Sequence, residues 1–462
     1  MFEKKLLNNA QKNPSKIALI YKTTQFTYEE LINSIYYYSN YLRKLKKKSK
    51  ILLDYKNSIE WIIYYFAIRF SGNYPVLVSN YFPIGKVNQI IDESSVKFII
   101  SDRYNKKKNI TFLKKINIHI SKKFKINSFL IKTSKTAKEI IYTSGSTGNP
   151  KGVILLLKTS EFVAKMINKI VKVSKNTIEL LSLPLSHSDG LARLKCMAYN
   201  GHTIVINDKP DNFGNFFYLL KKFKISGFFM VPSGIEILIK MKFINFEQIA
   251  KNLKFIEVGS EKINKKTLRW LKKTFLNAKI YYHYGLTEAS RSAFKIIKNL
   301  NIANDIFTIS PGIKFKIFDK LNKVCKKNQI GEILLFGKNL LEGYVGQKNN
   351  LKFSKYGFKT GDLGKKISNK IFQLEGRVDK IKKINGLSVN LNEIENKIMS
   401  YPKIKKSKCR FFYEKLSKSY KIKADYFSNE KIDEKKLILF LSKNLERIKL
   451  PAILKYERLL NV

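Results

Sequence analysis

Apolar residues recur along the chain in short blocks, each followed by a stretch with helical spacing. ILLDY, PVLVS and VKFIIS come first; HTIVIND, KISGFFMVPS, LKFIEVGS and AKIYYHYG follow later. Short apolar runs separated by helical patterns predict α/β units around a mostly parallel sheet. Residues 27–45, TYEELINSIYYYSNYLRKL, carry the helical period, and Thr27 with Glu30 makes a capping box at its start. Each apolar run ends at a polar or glycine-bearing tip, and in open α/β sheets ligands gather at such strand ends. The texture changes near Asp379. KIFQLEGRVDKIKKINGLSVNLNEIENKI passes from strand-like to helical patterning, and beyond it come two strand patterns, KCRFFYE and YKIKADYF, and a helical one, EKKLILFLSKNLERI. The expected fold class is α/β. A large N-terminal multi-subdomain domain with mostly parallel sheets covers 1–378, and a small α+β C-terminal domain covers 379–462, joined to it by a hinge.

Composition narrows the class. With 462 residues, 44% of them hydrophobic and 13% aromatic, the chain can bury a large interior and is not disordered. Its formal charge is +54, from 89 Lys plus Arg against 35 Asp plus Glu. Such a balance suits nucleic acid or an anionic surface. Here the basic runs at 43–50, 105–115 and 121–125 are scattered, and Lys, Asn, Ile, Tyr and Phe are abundant together. That points to a compositional bias and to no specific nucleic-acid partner. The three cysteines, Cys196, Cys325 and Cys409, are odd in number and far apart, which excludes a disulfide framework and a CxxC metal site. A reducing cytoplasm fits. The N-terminus lacks an apolar signal core, and WIIYYFAIRF at 61–70 is too short to span a bilayer and contains Arg69, so no transmembrane segment is expected.

One stretch resists a packing explanation. Residues 142–153 read YTSGSTGNPKGV, with apolar residues only at the two ends. Gly, Ser and Pro dominate ordinary turns. The same residues also build phosphate loops, because glycine lets backbone N–H groups approach an anion. Hydroxyls at Thr143, Ser144, Ser146 and Thr147 and the cation of Lys151 would add to such a site. Apolar runs on both sides, EIIY and GVILLL, hang the loop between two strands, where phosphate loops sit. It is not a Walker A loop, because Lys151 is followed by Gly152.

Further stretches follow in order: SLPLSHSDGLAR at 182–193, YYHYGLTEAS at 281–290, GEILLFGKNLLEGY at 331–344, YGFKTGDLG at 356–364 and EGRVDKIKKINGLSVNLNEIE at 375–395. With the loop at 142–153, their order and spacing resemble the AMP-forming adenylating superfamily, and most of all its acyl-CoA synthetases. The resemblance covers nearly the whole chain. It implies that a carboxylate attacks the α-phosphate of ATP, pyrophosphate leaves, and a thiol then takes the acyl group and releases AMP. It also implies cofactors and partners: ATP, Mg²⁺, a small carboxylic acid, and CoA or an acyl-carrier protein with a phosphopantetheine arm.

The resemblance carries roles residue by residue. Thr143, Ser144, Gly145, Ser146, Thr147, Gly148 and Lys151 would hold the β- and γ-phosphates. Tyr284, with Gly285 beside it, would stack on adenine, Thr287 would touch the α-phosphate, and Glu288 would coordinate Mg²⁺. Asp362 would accept from the ribose hydroxyls with Arg377 in support. Gly259, Ser260 and Glu261 resemble the loop under adenine and beside the acyl pocket, whose walls would include parts of 185–194, 229–235 and 256–261. His187, in a PLFH-like setting, would line the carboxylate pocket. Asp379 matches the hinge, and Lys383 and Gly386 match the loop that serves thioester formation. The family's terminal NGK-like turn would lie beyond Val462, leaving Lys449 and Lys455 as the nearest substitutes for its lysine. Three readings stand side by side: an acyl-CoA synthetase of fatty or other acyl acids, a ligase that loads a carrier protein, and a catalytically impaired nucleotide-binding relative.

Overall fold

Thr27 caps the helix Tyr28–Leu42 from both directions: its hydroxyl accepts from the Glu30 N–H at 3.1 Å, and the Glu30 carboxylate accepts from the Thr27 N–H at 2.7 Å. Leu31, Ile32, Ile35, Tyr38 and Leu42 are the buried stripe of that helix. It packs on the helix Ile59–Phe70. This second helix is WIIYYFAIRF with two residues before it, and every residue but Glu60 is buried. All-round apolarity here marks a core helix. Arg69 survives inside it because Glu3 and Glu139 take its guanidinium at 2.7 and 3.2 Å.

The computed structural model describes residues 2–45, 48–103, 107–114, 137–143, 150–241, 244–249, 251–261, 263, 265–297, 305–319, 321–346, 353–354, 357–378, 381–385, 387–414, 417 and 419–458. One sheet sets Phe98–Ser101, Lys50–Asp54, Tyr74–Leu77 and Lys138–Thr143 parallel, and then turns back through the antiparallel strand Lys151–Leu156. A larger sheet runs parallel through Ile17–Tyr21, Thr203–Ile206, Ile178–Leu181, Gly227–Met230, Phe255–Val258 and Lys279–Leu286. The apolar blocks ILLDY, PVLVS, HTIVIND and LKFIEVGS are therefore sheet interiors, continuous in apolarity because both faces are covered.

From Ala289–Ile297 onward the larger sheet becomes antiparallel, through Ile306–Ile309, Ile371–Arg377, Gly357–Lys366, Ile330–Gly337 and Ile313–Phe318. The change is visible in side chains. Ile313–Phe318 alternates buried Ile and Phe with exposed Lys in its first four positions, the pattern of a strand wet on one face.

Beyond 378 a separate hydrophobic cluster gathers Ile384, Val389, Ile394, Ile398, Ile422, Tyr426, Leu437 and Leu441. KCRFFYE and YKIKADYF become the antiparallel pair Ile404–Glu414 and Ser419–Ser428, with Ile453–Arg458 parallel at the edge. The last helical pattern stops earlier than its spacing predicts, as Glu434–Ser442. Asn444 folds its side-chain amide onto the Phe440 carbonyl at 2.8 Å, which competes with another helical turn. Among the described residues no helix is long and apolar enough to cross a membrane.

Candidate functional site

Thr143 and Lys151 face each other as the last described rung of the hairpin Lys138–Thr143/Lys151–Leu156. Ser144, Gly145, Ser146, Thr147 and Gly148 lie outside the described residues, so only the foot of the loop is placed. That foot is gripped from its far side. Gly343 and Tyr344 pair with Ile154 and Val153, and the Val345 N–H donates to the Gly152 carbonyl at 2.9 Å. The Tyr344 hydroxyl then donates to Glu288 Oε1 at 2.8 Å, and the Leu341 N–H to the Glu288 carbonyl at 2.8 Å. Burial and the Glu288 carboxylate both push the Tyr344 phenol up, so it remains a donor. The segment GEILLFGKNLLEGY thus ties Glu288 to the base of the hydroxyl-rich loop.

On the other side of Glu288, Tyr284 stands near the end of Lys279–Leu286. Its hydroxyl donates to Asp362 Oδ2 at 2.7 Å, across 78 positions of sequence. Both residues are buried. The Tyr284 ring meets Phe372 edge-on at 5.4 Å and Phe307 at 5.9 Å. Asp362 lies opposite Arg377 in the strand register, and its N–H donates to the Thr360 hydroxyl at 3.0 Å. Gly361 precedes it at φ +75°, a left-handed conformation that favours glycine. For Arg377 only the backbone is described.

The third face is charged. Thr287 Oγ1 donates to Ser188 Oγ at 3.3 Å. Ser188 opens the helix Ser188–Asn200, for which His187 is the N-cap residue. Burial pushes the His187 imidazole down, against an upward pull from Asp189 and Glu446. Gly259 passes so close to the His283 ring that a Cβ would sit 2.3 Å from it, which only glycine permits. Ser260 follows at φ +70° and donates to Asp189 Oδ2. Glu261 accepts from the Ser233 N–H at 2.9 Å. The predicted walls 185–194, 229–235 and 256–261 therefore do meet.

At their junction lie residues that the motifs do not single out. Arg291 donates to Asp189 and, at 3.2 Å, to Glu257. Arg193 donates to Glu257 at 3.0 Å and to Glu179. Phe229 stacks on His283 at 5.3 Å. Burial raises the Glu257 carboxyl, yet Arg291, His283 and Arg193 outweigh it and hold the group far below the usual range. Burial and Arg291 push the His283 imidazole down, against an upward pull from Glu257 and Asp189. A sequence signal exists for this cluster. Glu179 and Glu257 each stand as the lone charge of an apolar strand, and a buried carboxylate demands a buried partner.

Asp379 and Gly386 lie outside the described residues. Lys383 is placed by backbone only, on Ile381–Ile384 opposite Ser388. Lys86 of the helix Ile84–Ser94 reaches Glu393 and Glu446 at 3.3 and 3.4 Å. Lys449 reaches the same two carboxylates at 2.8 and 2.6 Å. All four are buried, so Lys449 is enclosed here. Lys455 pairs with Glu457 at 2.6 Å on an exposed stretch.

Comparison with known proteins adds an independent line. The family described as AMP-binding enzyme matches residues 6–345. The D-alanine–D-alanyl carrier protein ligase of Lactococcus lactis is 27% identical over 421 residues, 86% of this chain and 82% of that protein. Bacitracin synthase 3 of Bacillus licheniformis is 24% identical over 424 residues, 86% of this chain but 7% of its own length. In fold, the chain is similar to o-succinylbenzoate CoA synthetase from Bacillus subtilis bound with a product analogue, with a TM-score of 0.87 at 19% identity, over 99% of this chain and 95% of that one.

Proposed function

The chain belongs to the AMP-binding enzyme family, and from that premise we propose that it activates a carboxylic acid with ATP as an acyl-adenylate and then passes the acyl group to a thiol. In this reading Thr143, Lys151 and the loop between them take the β- and γ-phosphates, Tyr284 faces adenine, and Asp362 accepts from the ribose with Arg377 beside it. Thr287 positions the α-phosphate, and His187 and Ser188 border the attacking carboxylate. Gly259, Ser260 and Glu261 edge the acyl side.

The observation that carries the proposal is the forked attachment of residues 284–288. Tyr284 bonds Asp362, while Glu288 four positions on is bonded by Tyr344 at the foot of the loop. A nucleoside site and a triphosphate site are thereby held one turn of chain apart. The donors and cations there suit a step that crowds negative charge, provided they are fixed before reaction. Mg²⁺ needs few protein ligands when phosphate oxygens supply the rest, and Glu288 is the carboxylate positioned for it. The ion would neutralise charge that develops on the departing pyrophosphate.

For the second step, Lys383 and the loop at Gly386 would meet the adenylate after the unit 379–462 turns about Asp379. CoA is the acceptor we favour for the thiol. A carrier-protein arm is the second reading, supported by the printed function of the Lactococcus lactis relative. We place the reaction in the cytoplasm and assign it no specific nucleic-acid partner.

ATP–pyrophosphate exchange with a panel of acids tests the first step, and adding CoA or a carrier protein separates the acceptors. Asp362→Ala should weaken ATP binding by about 10- to 100-fold, since a hydrogen bond to a charged group is worth roughly 1.5–3 kcal/mol. An unchanged affinity would remove the ribose assignment.

A further inference from the structure

Charge on this molecule is sorted by strand end. Ile178–Leu181, Gly227–Met230, Phe255–Val258 and Lys279–Leu286 are parallel neighbours in the larger sheet, in that order. All four therefore begin at one edge and end at the other. The segments that lead into them are 172–177, 223–226, 251–254 and 275–279. They carry Lys172, Lys175, Lys224, Lys251, Lys254 and Lys279, all exposed, and no Asp or Glu. None of these lysines forms an ion pair among the described residues. The segments that leave the same strands, 182–187, 231, 259–261 and 287–288, carry Glu261 and Glu288 and no Lys or Arg. A biased composition raises lysine everywhere and does not sort it by end.

The lysines stand level. The Lys279 N–H donates to the Lys254 carbonyl at 2.9 Å, and the Lys254 N–H to the Ser226 carbonyl at 2.7 Å. Neighbouring strands lie about 4.8 Å apart, so the row follows roughly 15 Å of sheet edge. Three helices end at the same edge, Leu157–Val171, Phe213–Lys222 and Lys265–Thr274, with Lys169, Lys221, Lys222, Lys272 and Lys273 in their last turns. Cations there complement the helix dipole, an effect confined to the last turn. It does not extend to Lys254 and Lys279, which stand at strand starts. Carboxylates return on either side of the row, at Asp305 before Ile306–Ile309 and at Glu29 and Glu30 after Thr24–Thr27.

An occupant of this edge must be anionic and broad. Single-stranded nucleic acid binds where exposed rings stack its bases. The exposed large apolar side chain within these segments is instead Leu276, an alkyl group between Lys273 and Lys279. Lysines beside exposed alkyl suit a layer of lipid headgroups. We propose, independently of the adenylation reading above, that this edge docks reversibly on a bilayer that bears anionic headgroups. Lys224, Lys254 and Lys279 meet headgroup phosphates, and Leu276 enters the headgroup layer. The opposite strand ends, with Glu261 and Glu288, then face solution. ATP and a thiol acceptor can reach the cleft while the molecule is docked.

Sedimentation of the full chain with vesicles tests this. At about 0.15 M salt, phosphatidylglycerol–phosphatidylcholine vesicles should carry the protein down and pure phosphatidylcholine vesicles should not. Lys224→Glu, Lys254→Glu and Lys279→Glu combined should weaken the binding at least about 30-fold, since each lysine near such a surface contributes about fivefold. A matched set of exposed lysines elsewhere, Lys314→Glu, Lys316→Glu and Lys326→Glu, should weaken it by about threefold or less, because charges beyond a Debye length are screened. Equal losses in the two sets reduce the binding to net charge and overturn the assignment, as does no binding to the anionic vesicles. Tighter binding to a single-stranded RNA oligonucleotide than to the vesicles, lost in the edge set alone, gives the edge to nucleic acid and overturns the bilayer. Hydrogen exchange on the unaltered, vesicle-bound protein should slow at 223–226, 251–254 and 275–279 and stay unchanged at 321–328. Absence of that slowing overturns the docking even if a combined variant misfolds.

Discussion

Around Glu139 a carboxylate is enclosed by Lys195, Arg69, the Tyr65 hydroxyl at 2.7 Å and the Ser160 hydroxyl at 2.6 Å. Around Lys449 an ammonium is enclosed by Glu393 and Glu446, with Lys86 closing the ring. Both clusters are buried, and both face the same expense of taking ions out of water. They differ in what else they touch. The Glu139 cluster draws on strand Lys138–Thr143 and three helices, and hydroxyls fill its remaining valences. The Lys449 cluster joins the helix Ile84–Ser94 to Leu391–Met399 and to residues 446–449, bridging two hydrophobic cores with no hydroxyl in support among the described residues. The first cluster cannot open without unfolding its surroundings. The second would regain water if the two cores parted, so it is the one suited to a releasable fastening.

The sharpest way to break this contrast is Glu139→Gln. It leaves Lys195 and Arg69 without their shared carboxylate, and losing one partner of a buried pair costs about 3–5 kcal/mol. Urea unfolding should show that loss in a single cooperative step. Acid should act in the same direction. Burial raises the Glu139 carboxyl, but Lys195 and Arg69 outweigh it and bring it to about 2. Its folded value lies below its unfolded one, so its contribution is full above about pH 4.5 and fades as pH falls toward 2. The wild type should lose stability across that window, and Glu139→Gln should lose less.

Lys86→Ala should act differently. Two buried carboxylates then share Lys449 alone, a defect worth about 1–3 kcal/mol that undocking relieves. Small-angle scattering should report a larger radius of gyration, while the unfolding free energy of the larger core stays near its starting value. An unchanged radius with a lower cooperative midpoint would make the two clusters equivalent. Thr27→Ala sets the scale for a cap remote from both, about 1 kcal/mol by urea unfolding, with no change in radius.

Local rules made much of this legible. The capping box at Thr27 and Glu30, the parallel blocks and the loop between two strands all follow from spacing and turn chemistry. Tyr284, Glu288 and Asp362 are reachable through ordered motifs, and the fold bonds Tyr284 to Asp362 and Glu288 to Tyr344. Arg291, Glu257 and Arg193 were not, because a lone charge looks the same in sequence on a surface and in a core. Only pairing across 64 positions, as between Arg193 and Glu257, tells them apart. The antiparallel half of the larger sheet was also hidden. Its strands are joined by connections of uneven length, and nothing local specifies which edges meet. The early stop of the last helix rested on one amide, that of Asn444.

Three of the four histidines, His187, His202 and His283, are pushed down by burial. Burial thus favours their neutral forms. The long-range field of this +54 chain therefore comes chiefly from lysine and arginine, whose ordinary pKa values lie well above the physiological range. Moving from pH 6 to pH 8 should hardly alter how strongly it draws in an anionic nucleotide. Raising the ionic strength from about 0.01 to 0.15 M shortens the reach of that field from roughly 30 to 8 Å. Dissolved salt, far more than acidity, sets how quickly anions arrive.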